Sequence, residues 1–330
     1  MSARARIMNA AMSTSTNIPA GPVSHISDTA LWVAVHRAAE SKRKDALFRD
    51  PYAERLAGDR GREIVRRLEH GSSSAWSIVT RTAVLDELIM DAVRDGADMV
   101  VNLAAGLDTR PYRLPLFPGI RWIEVDFPEM IVYKETNLAD ALPRCALERI
   151  ALDLTDRAAR QRLFARLTEE SRRILVITEG LLIYLTADEV AALAQDLHAM
   201  PHCSRWVADA LTPELLERLL KTSFKTFATG SVRMHFGLTG GPAYFEQFGW
   251  RPHTVRRMTV ESRRLKRPMP RAWLFKLLAA LAPRRVRQQF SQFEAYLFVL
   301  ERAEPSNSEA SGAEVSVKVA RSGDQLSQQR

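Results

Sequence analysis

Met99-Val-Val-Asn-Leu-Ala-Ala-Gly-Leu-Asp108 is the stretch on which the fold turns. Residues 99–104 form a short, mostly apolar run that stops at the turn Ala105-Gly106-Leu107-Asp108. A run of this length, bounded by a glycine turn, reads as a strand buried on both faces. The same design recurs three times downstream. The run 121–125 ends at Asp126, 149–152 ends at Asp153, and 173–178 ends at Glu179. Helical patterns separate most of them, for example at 156–167 and 187–199, and 204–208, 254–259 and 295–300 are further candidate strands. Buried strands alternating with helices predict an α/β fold with a mostly parallel sheet of βαβ units. The last run, after Phe290, is expected to close the sheet as an antiparallel strand.

Upstream of Met99 the chain reads as helical. Ser27-Asp28-Thr29 is a cap signal, and Leu31, Val35 and Ala38 then recur at helical spacing. Asp50-Pro51-Tyr52 has the form of an N-cap with proline at the first helical position. A third helix is expected over 77–94, with Val84, Leu88 and Ala92 on one face. Residues 1–24 are small and polar without periodicity, and 304–330 are rich in Ser, Gln, Gly and Ala, so both ends are expected to be disordered. The folded body is then 25–303. It divides into N-terminal helices (25–96), a sheet half (97–210), an insertion (211–250) and closing strands with a basic helix (251–303).

Of the 330 residues, 46% are hydrophobic and 26% charged, an ordinary globular mix that excludes a mostly disordered chain, a collagen-like repeat and a disulfide scaffold. Cys145 and Cys203 have no CxxC spacing, so no zinc site or redox pair is indicated, and a reducing, cytoplasmic setting is expected. The longest apolar run, 272–282, is broken by Lys276 and falls short of the roughly 20 residues of a membrane span. Arg4 and Arg6 are followed by Ser, Thr, Asn and Pro rather than by the apolar core of a signal peptide. Forty-seven Lys and Arg against 39 Asp and Glu leave a formal charge of +8. The excess is concentrated, with twelve basic residues and one acid, Glu261, between Arg251 and Arg287. Such a segment reads as a solvated helical face. The other reading is a basic binding module for nucleic acid or membrane, with Trp273, Phe275, Leu277 and Leu278 on an interfacial helix.

Ligands of open α/β sheets bind beyond the carboxyl ends of the strands, where this chain carries Gly106, Asp126, Asp153 and Glu179. Each acid alone is as consistent with a helix cap. Asp126, however, follows Gly106 by 20 residues, the spacing of an acid that accepts from ribose hydroxyls. A pyrophosphate needs several unobstructed backbone N–H groups and hence G-x-G-x-x-G. The turn here has one glycine and adds Asp108, which would repel a phosphate. A ligand with adenine and ribose, no phosphate and cationic groups fits better, and S-adenosyl-L-methionine is such a ligand. The acids at the strand ends would then face a cationic ligand.

Seven segments carry a resemblance beyond this chemistry: SDTALWVAVHRAAES (27–41), RDPYAERL (49–56), RTAVLDE (81–87), VVNLAAGLDTRPYRL (100–114), WIEVDFPEMI (122–131), ALDLTD (151–156) and ITEGLLIYL (177–185). In these segments, and in their order, the chain resembles the leucine carboxyl methyltransferase family, in particular its bacterial S-adenosyl-L-methionine-dependent O-methyltransferases. The resemblance implies a class I methyltransferase sheet, Rossmann-like, with a cap of N-terminal helices and a late insertion. It implies that Arg81 pairs with the carboxylate of the cofactor's methionine moiety and that Gly106 lets the backbone approach the ligand. It places Asp126 on the ribose, Asp153 with the backbone of Leu154 on the adenine, and Glu179 near the methionine end. Arg37 stands where the family often has a basic residue near that carboxylate. The family turn usually carries glycine where this chain has Ala104, so a methyl group is expected to tighten the pocket without abolishing binding.

Methyl transfer from a sulfonium is an in-line displacement, so alignment and exclusion of water matter most. A carboxylate acceptor needs no base, whereas a phenol does. His235, in the insertion, is the candidate base. Phe224, Phe227, Phe236, Tyr244, Phe245 and Phe248 of the insertion suit either core or a lid over a bulky apolar acceptor. The expected activity is O-methylation of a small-molecule carboxylate or hydroxyl, polyketide-like and part of secondary metabolism. A protein C-terminal carboxylate is the alternative acceptor. Neither nucleic-acid binding nor membrane insertion is expected.

Overall fold

The computed structural model describes residues 26–68, 74–222, 234–270 and 292–303. Three helices come first: α1 (Ile26–Ser41), α2 (Ala53–Leu68) and α3 (Ala75–Arg94). Asp50 caps α2 as its sequence predicts, its Oδ1 accepting from the N–H groups of Tyr52 (3.1 Å) and Ala53 (3.0 Å). Helix α1 already runs at Ile26, so Asp28 lies in its first turn and there pairs with Arg60 of α2 at 3.1 Å. Val84, Leu88 and Ala92 are all buried on α3.

The sheet follows, with β1 (Met99–Leu103), β2 (Arg121–Asp126), β3 (Ala146–Ala151), β4 (Ile174–Thr178), β5 (Cys203–Leu211), β6 (Trp250–Arg257) and β7 (Ala295–Arg302). Its order is β3-β2-β1-β4-β5-β7-β6. β1 to β5 pair in parallel and β7 runs antiparallel to both β5 and β6. This is the mostly parallel sheet with an antiparallel last strand that the sequence predicts. Connecting helices are α4 (Arg110–Arg113), α5 (Pro128–Asn137), α6 (Arg157–Glu170), α7 (Ala187–His198), α8 (Pro213–Lys221) and α9 (Met258–Arg264). Two 3-10 turns, Leu182–Tyr184 and Gly241–Phe248, complete the described elements.

β1 and β4 are buried at every position, as strands covered on both faces must be. β3 is not, because it forms the sheet edge, and it begins at Ala146 rather than at 149. Its Glu148 and Arg149 interrupt the apolar pattern, and Arg149 pairs with Glu124 of β2 at 2.9 Å. β6 spans Trp250–Arg257, earlier than the expected 254–259. It is the other edge, where Pro252, which has no N–H to donate, is tolerated beside a break in register.

One core layer joins the sheet to α6, α7 and the insertion, with Leu163, Leu193, Trp206, Phe245, Trp250 and Phe298 among its members. The opposite layer packs α3 against the sheet through Leu85, Leu88, Ile89, Val100 and Trp122. Phe236 and Phe245 belong to the first layer and Tyr244 and Phe248 pack against it; edge contacts run from Phe236 through Tyr244 and Phe245 to Trp206, with Phe248 on Tyr244, so in these four the insertion supplies core. Phe224 and Phe227 lie outside the described residues, as do 1–24, 304–330 and the helix proposed around Trp273. A third cluster sets the cap on the sheet. Ala34 of α1 and Leu56 and Ala57 of α2 pack with Leu107, Tyr112 and Met130.

Among the described residues, several arginines of the basic segment are paired locally. Arg251 pairs with Glu301, Arg257 with Glu294, Arg264 with Glu87 and Glu261, and Arg267 with Glu40 and Asp45. Among the described residues, no helix is long and apolar enough to cross a membrane and no group of His, Cys, Asp and Glu could hold a metal ion. Both cysteines are free and buried, and burial pushes the Cys145 thiol up to about 11 and the Cys203 thiol up to about 12.

Candidate functional site

The chain leaves β1 toward β2 and β3, then returns to place β4 on the other side of β1. That reversal opens a crevice at the carboxyl ends of β1 and β4, where open α/β sheets bind their ligands. Gly106 follows β1, Glu179 follows β4, and Asp126 ends β2, so parallel pairing brings all three to one end of the sheet.

The turn after β1 is built from backbone demands. Ala104 (φ 54°) and Gly106 (φ 48°) both adopt the left-handed conformation, which glycine accepts freely and alanine accepts only under strain. A glycine at position 104 would therefore serve the backbone. What Ala104 adds is a methyl group packed on the main core layer. The N–H of Gly106 donates to Asp126 Oδ2 at 2.6 Å, and the N–H of Phe127 donates to Asp126 Oδ1 at 2.7 Å. Burial raises the Asp126 pKa, and these two donors oppose the rise. The 20-residue spacing is thus realised as direct contact, the carboxylate strapping the glycine turn. Helix α1 lies against the turn. A Cβ on Gly106 would sit 3.4 Å from Ala30, and Arg37 Nη2 donates to Leu107 O at 2.5 Å while its Nε stands 3.3 Å from Asp50.

Asp153 lies beyond the end of β3, next in line after Asp126, and is exposed. Its Oδ1 accepts from the N–H and the hydroxyl of Thr155 at 2.9 and 2.8 Å. Leu154 is half-buried against the core, and its carbonyl accepts from Arg160 at 2.5 Å.

The other half of the site is an ion-pair chain. Arg81 of α3 places Nε 2.9 Å from Glu179 Oε1 and Nη1 3.3 Å from Asp209 Oδ2. Its Nε is buried and aligned with no hydrogen-bond acceptor. Glu179 Oε2 receives Arg110 Nη1 at 2.7 Å, and Arg110 also reaches Asp108 (2.8 Å) and Asp86 (2.7 Å). Arg113 completes the chain on Asp86 at 2.5 Å. Gly180, with φ 65°, makes room for Arg81, because a Cβ there would lie 3.3 Å from Nη1.

Asp108 therefore does not face a ligand. It is buried, with its carboxylate committed to Asn102 Nδ2 (2.8 Å) and to the guanidinium and N–H of Arg110. Burial alone would raise its pKa, but the Arg110 charge holds it far below the usual carboxylate range. Glu179 is likewise lowered by Arg110 and Arg81 against the effect of burial. The strand ends are thus not a bare acidic surface, because arginines supply most of the counter-charge. The reason is energetic: carboxylates removed from water must be paired or protonated.

Arg110, Asp86, Asn102 and Asp209 escaped the sequence reading. Arg110 sat inside a matching segment. Asp209 follows the fifth apolar run and, with Ala208 paired to Thr178, lies level with Glu179, so the strand-end rule extended to β5 points to it.

His235 is exposed, and its N–H donates to Ile183 O at 2.8 Å, tying the insertion to the turn after β4. Next to it Met234 packs with Leu31, Trp32, Ile64 and Tyr184.

The leucine carboxyl methyltransferase family profile matches residues 30–198. A Parafrankia sp. protein described as an S-adenosyl-L-methionine-dependent methyltransferase is 31% identical over 259 residues, covering 74% of this chain and 83% of its own. A Mycobacterium marinum protein of the same description is 31% identical over 245 residues, covering 70% and 72%. Among solved structures, a Thermobifida fusca protein described as a methyltransferase shares the fold with a TM-score of 0.52 at 16% identity, over 86% of this chain and 96% of that one.

Proposed function

The chain belongs to the leucine carboxyl methyltransferase family and is an S-adenosyl-L-methionine-dependent methyltransferase, and on that premise we propose that it methylates a carboxylate or hydroxyl oxygen of a small-molecule, polyketide-like acceptor. The residues at the strand ends fit the cofactor. A single glycine turn strapped by a carboxylate suits a ribose and offers no pyrophosphate cradle. The buried guanidinium of Arg81, flanked by Glu179 at 2.9 Å and Asp209 at 3.3 Å, is the group suited to a ligand carboxylate.

In this reading Arg81 engages the methionyl carboxylate and Gly106 admits the ligand to the backbone. Asp126 accepts from the ribose hydroxyls, Asp153 and Leu154 border the adenine, and Glu179 stands at the amino end. When bound, the cofactor supplies an electrophilic methyl carbon on a sulfonium. The chain's own contribution is orientation and dryness, with α1 laid over the Gly106 turn to exclude water. Residues 25–96 then act as the cap, 97–210 as the cofactor-binding half, 211–250 as the acceptor border, and 251–303 close the sheet.

The observation that carries the acceptor class is the apolar group Leu31, Trp32, Ile64, Tyr184 and Met234. Tyr184 adjoins the charges of Arg81 and Asp209, so an apolar wall meets the charged site at that residue. Such a wall suits an acceptor with an apolar body and a single polar end. An ionised carboxylate needs no base, which accords with an exposed His235.

Incubation with methyl-labelled cofactor and a bacterial cell extract tests the acceptor. Label is expected in the small-molecule fraction, released as methanol by mild alkali if the product is an ester and retained if it is an ether. Label confined to protein would replace this reading with a C-terminal carboxyl acceptor.

A further inference from the structure

The ion-pair chain Asp209–Arg81–Glu179–Arg110–Asp108/Asp86–Arg113 contains four carboxylates and three guanidiniums. One negative charge is therefore surplus. The distances identify its place. Glu179 and Asp108 lie 2.7 to 2.9 Å from their arginines, and Asp86 is held by two arginines at 2.5 and 2.7 Å. Asp209 has one arginine contact, at 3.3 Å, and spends its other oxygen on the N–H of Gly180 at 2.6 Å. Its side chain is 13% exposed, too buried for water to screen the charge fully.

We propose that Asp209 is a specificity-determining residue whose unbalanced carboxylate favours the sulfonium cofactor over its thioether product. The proposal rests on the reading that Arg81 engages the methionyl end. Substrate and product share the amino and carboxylate groups and differ at sulfur by one positive charge. A surplus anion near that end therefore attracts S-adenosyl-L-methionine more than S-adenosylhomocysteine, which loads the former and helps release the latter. At an effective dielectric constant of about 20, one unit charge within about 10 Å alters the affinity for a cation on the order of tenfold.

Calorimetric titration of the full chain with both ligands gives the ratio of their dissociation constants. Asp209→Asn keeps a carbonyl oxygen for Gly180 N–H and removes the charge. The expected result is a fall in the preference for the sulfonium of roughly tenfold, about 1.4 kcal/mol, while Asp209→Glu retains the preference. Equal weakening of both ligands in Asp209→Asn would make Asp209 a mere anchor and overturn the proposal, as would an unchanged ratio. Arg81→Gln separates the premise: if it alters neither affinity, the reading of the methionyl end falls, whatever Asp209 does. Should Asp209→Asn not fold, Asp209→Ser, which also removes the charge, takes its place, and an unchanged ratio in that variant would refute the role.

Discussion

Replacing Arg110 by Leu removes the hub of the buried charge network. Arg110 is 2% exposed and touches Asp86, Asp108 and Glu179. Breaking a buried ion pair from one side costs about 3–5 kcal/mol, because the remaining charge is left in a poorly solvated place. The three acids are not equally stranded. Asp86 keeps Arg113, with contacts at 2.5 and 2.8 Å, and Glu179 keeps Arg81 at 2.9 Å. Asp108 keeps only Asn102 and a backbone N–H as hydrogen-bond partners, with Lys134, Arg113 and Arg37 acting on it as charges, so it carries most of the loss. The lower end of the range, about 3 kcal/mol, is therefore expected. At about 2–4 °C per kcal/mol that is a fall in Tm on the order of 10 °C, measured by circular dichroism with a urea titration for the free energy. Adding Asp108→Asn removes the stranded charge and is expected to restore more than about 1 kcal/mol. A single-variant loss below about 1 kcal/mol, or no recovery in the double variant, would show that these ion pairs behave as solvated surface pairs.

Three further outcomes are expected. Ala104→Gly relieves a left-handed alanine and is expected to raise stability by about 1 kcal/mol, after the loss of its methyl contact is offset; a lower Tm would mean that packing outweighs backbone strain. Asp126→Ala leaves the N–H groups of Gly106 and Phe127 without their acceptor, at about 1–3 kcal/mol each if water cannot replace it, and is expected to abolish S-adenosylhomocysteine binding in a calorimeter, so retained binding would remove Asp126 from the site. Asp108 and Glu179 have depressed pKa values in the folded state, so their stabilisation is complete above the unfolded carboxylate range and is lost as pH falls from about 4 toward their folded values. Urea titrations should show stability falling by up to about 1.4 kcal/mol per pH unit for each proton taken up, and a flat profile between pH 5 and pH 2.5 would contradict the network.

The elements were legible because their signals are local. Apolar runs of five or six residues ending in a glycine turn or an acid are readable at β1, β2 and β4, and each of these strands lies within a residue of its expected place. The reading slipped where a strand leaves the buried interior, at β3 and β6, because edge strands carry charges and proline that an apolar run does not admit. The insertion's aromatics were ambiguous for a similar reason: composition cannot say whether a Phe faces Trp206 or a ligand.

The kind of ligand the strand ends suit follows from residue type and spacing: one glycine, a carboxylate 20 residues on and a poor phosphate cradle are all legible along the chain. The charge those ends present depends instead on how the folded chain brings distant residues together. Asp108 and Glu179 read in the sequence as acids facing a cationic ligand, yet Arg110 reaches Glu179 across 69 positions and Arg81 reaches Asp209 across 128. Counter-charges are recruited by proximity in space, and the cost of leaving a carboxylate unpaired out of water drives that recruitment. A tally of acids along the chain therefore overstates the negative charge of the site. Within the ion-pair chain of Arg81, Arg110 and Arg113 one carboxylate is left over, and Asp209, with a single arginine contact at 3.3 Å, is the least tightly paired.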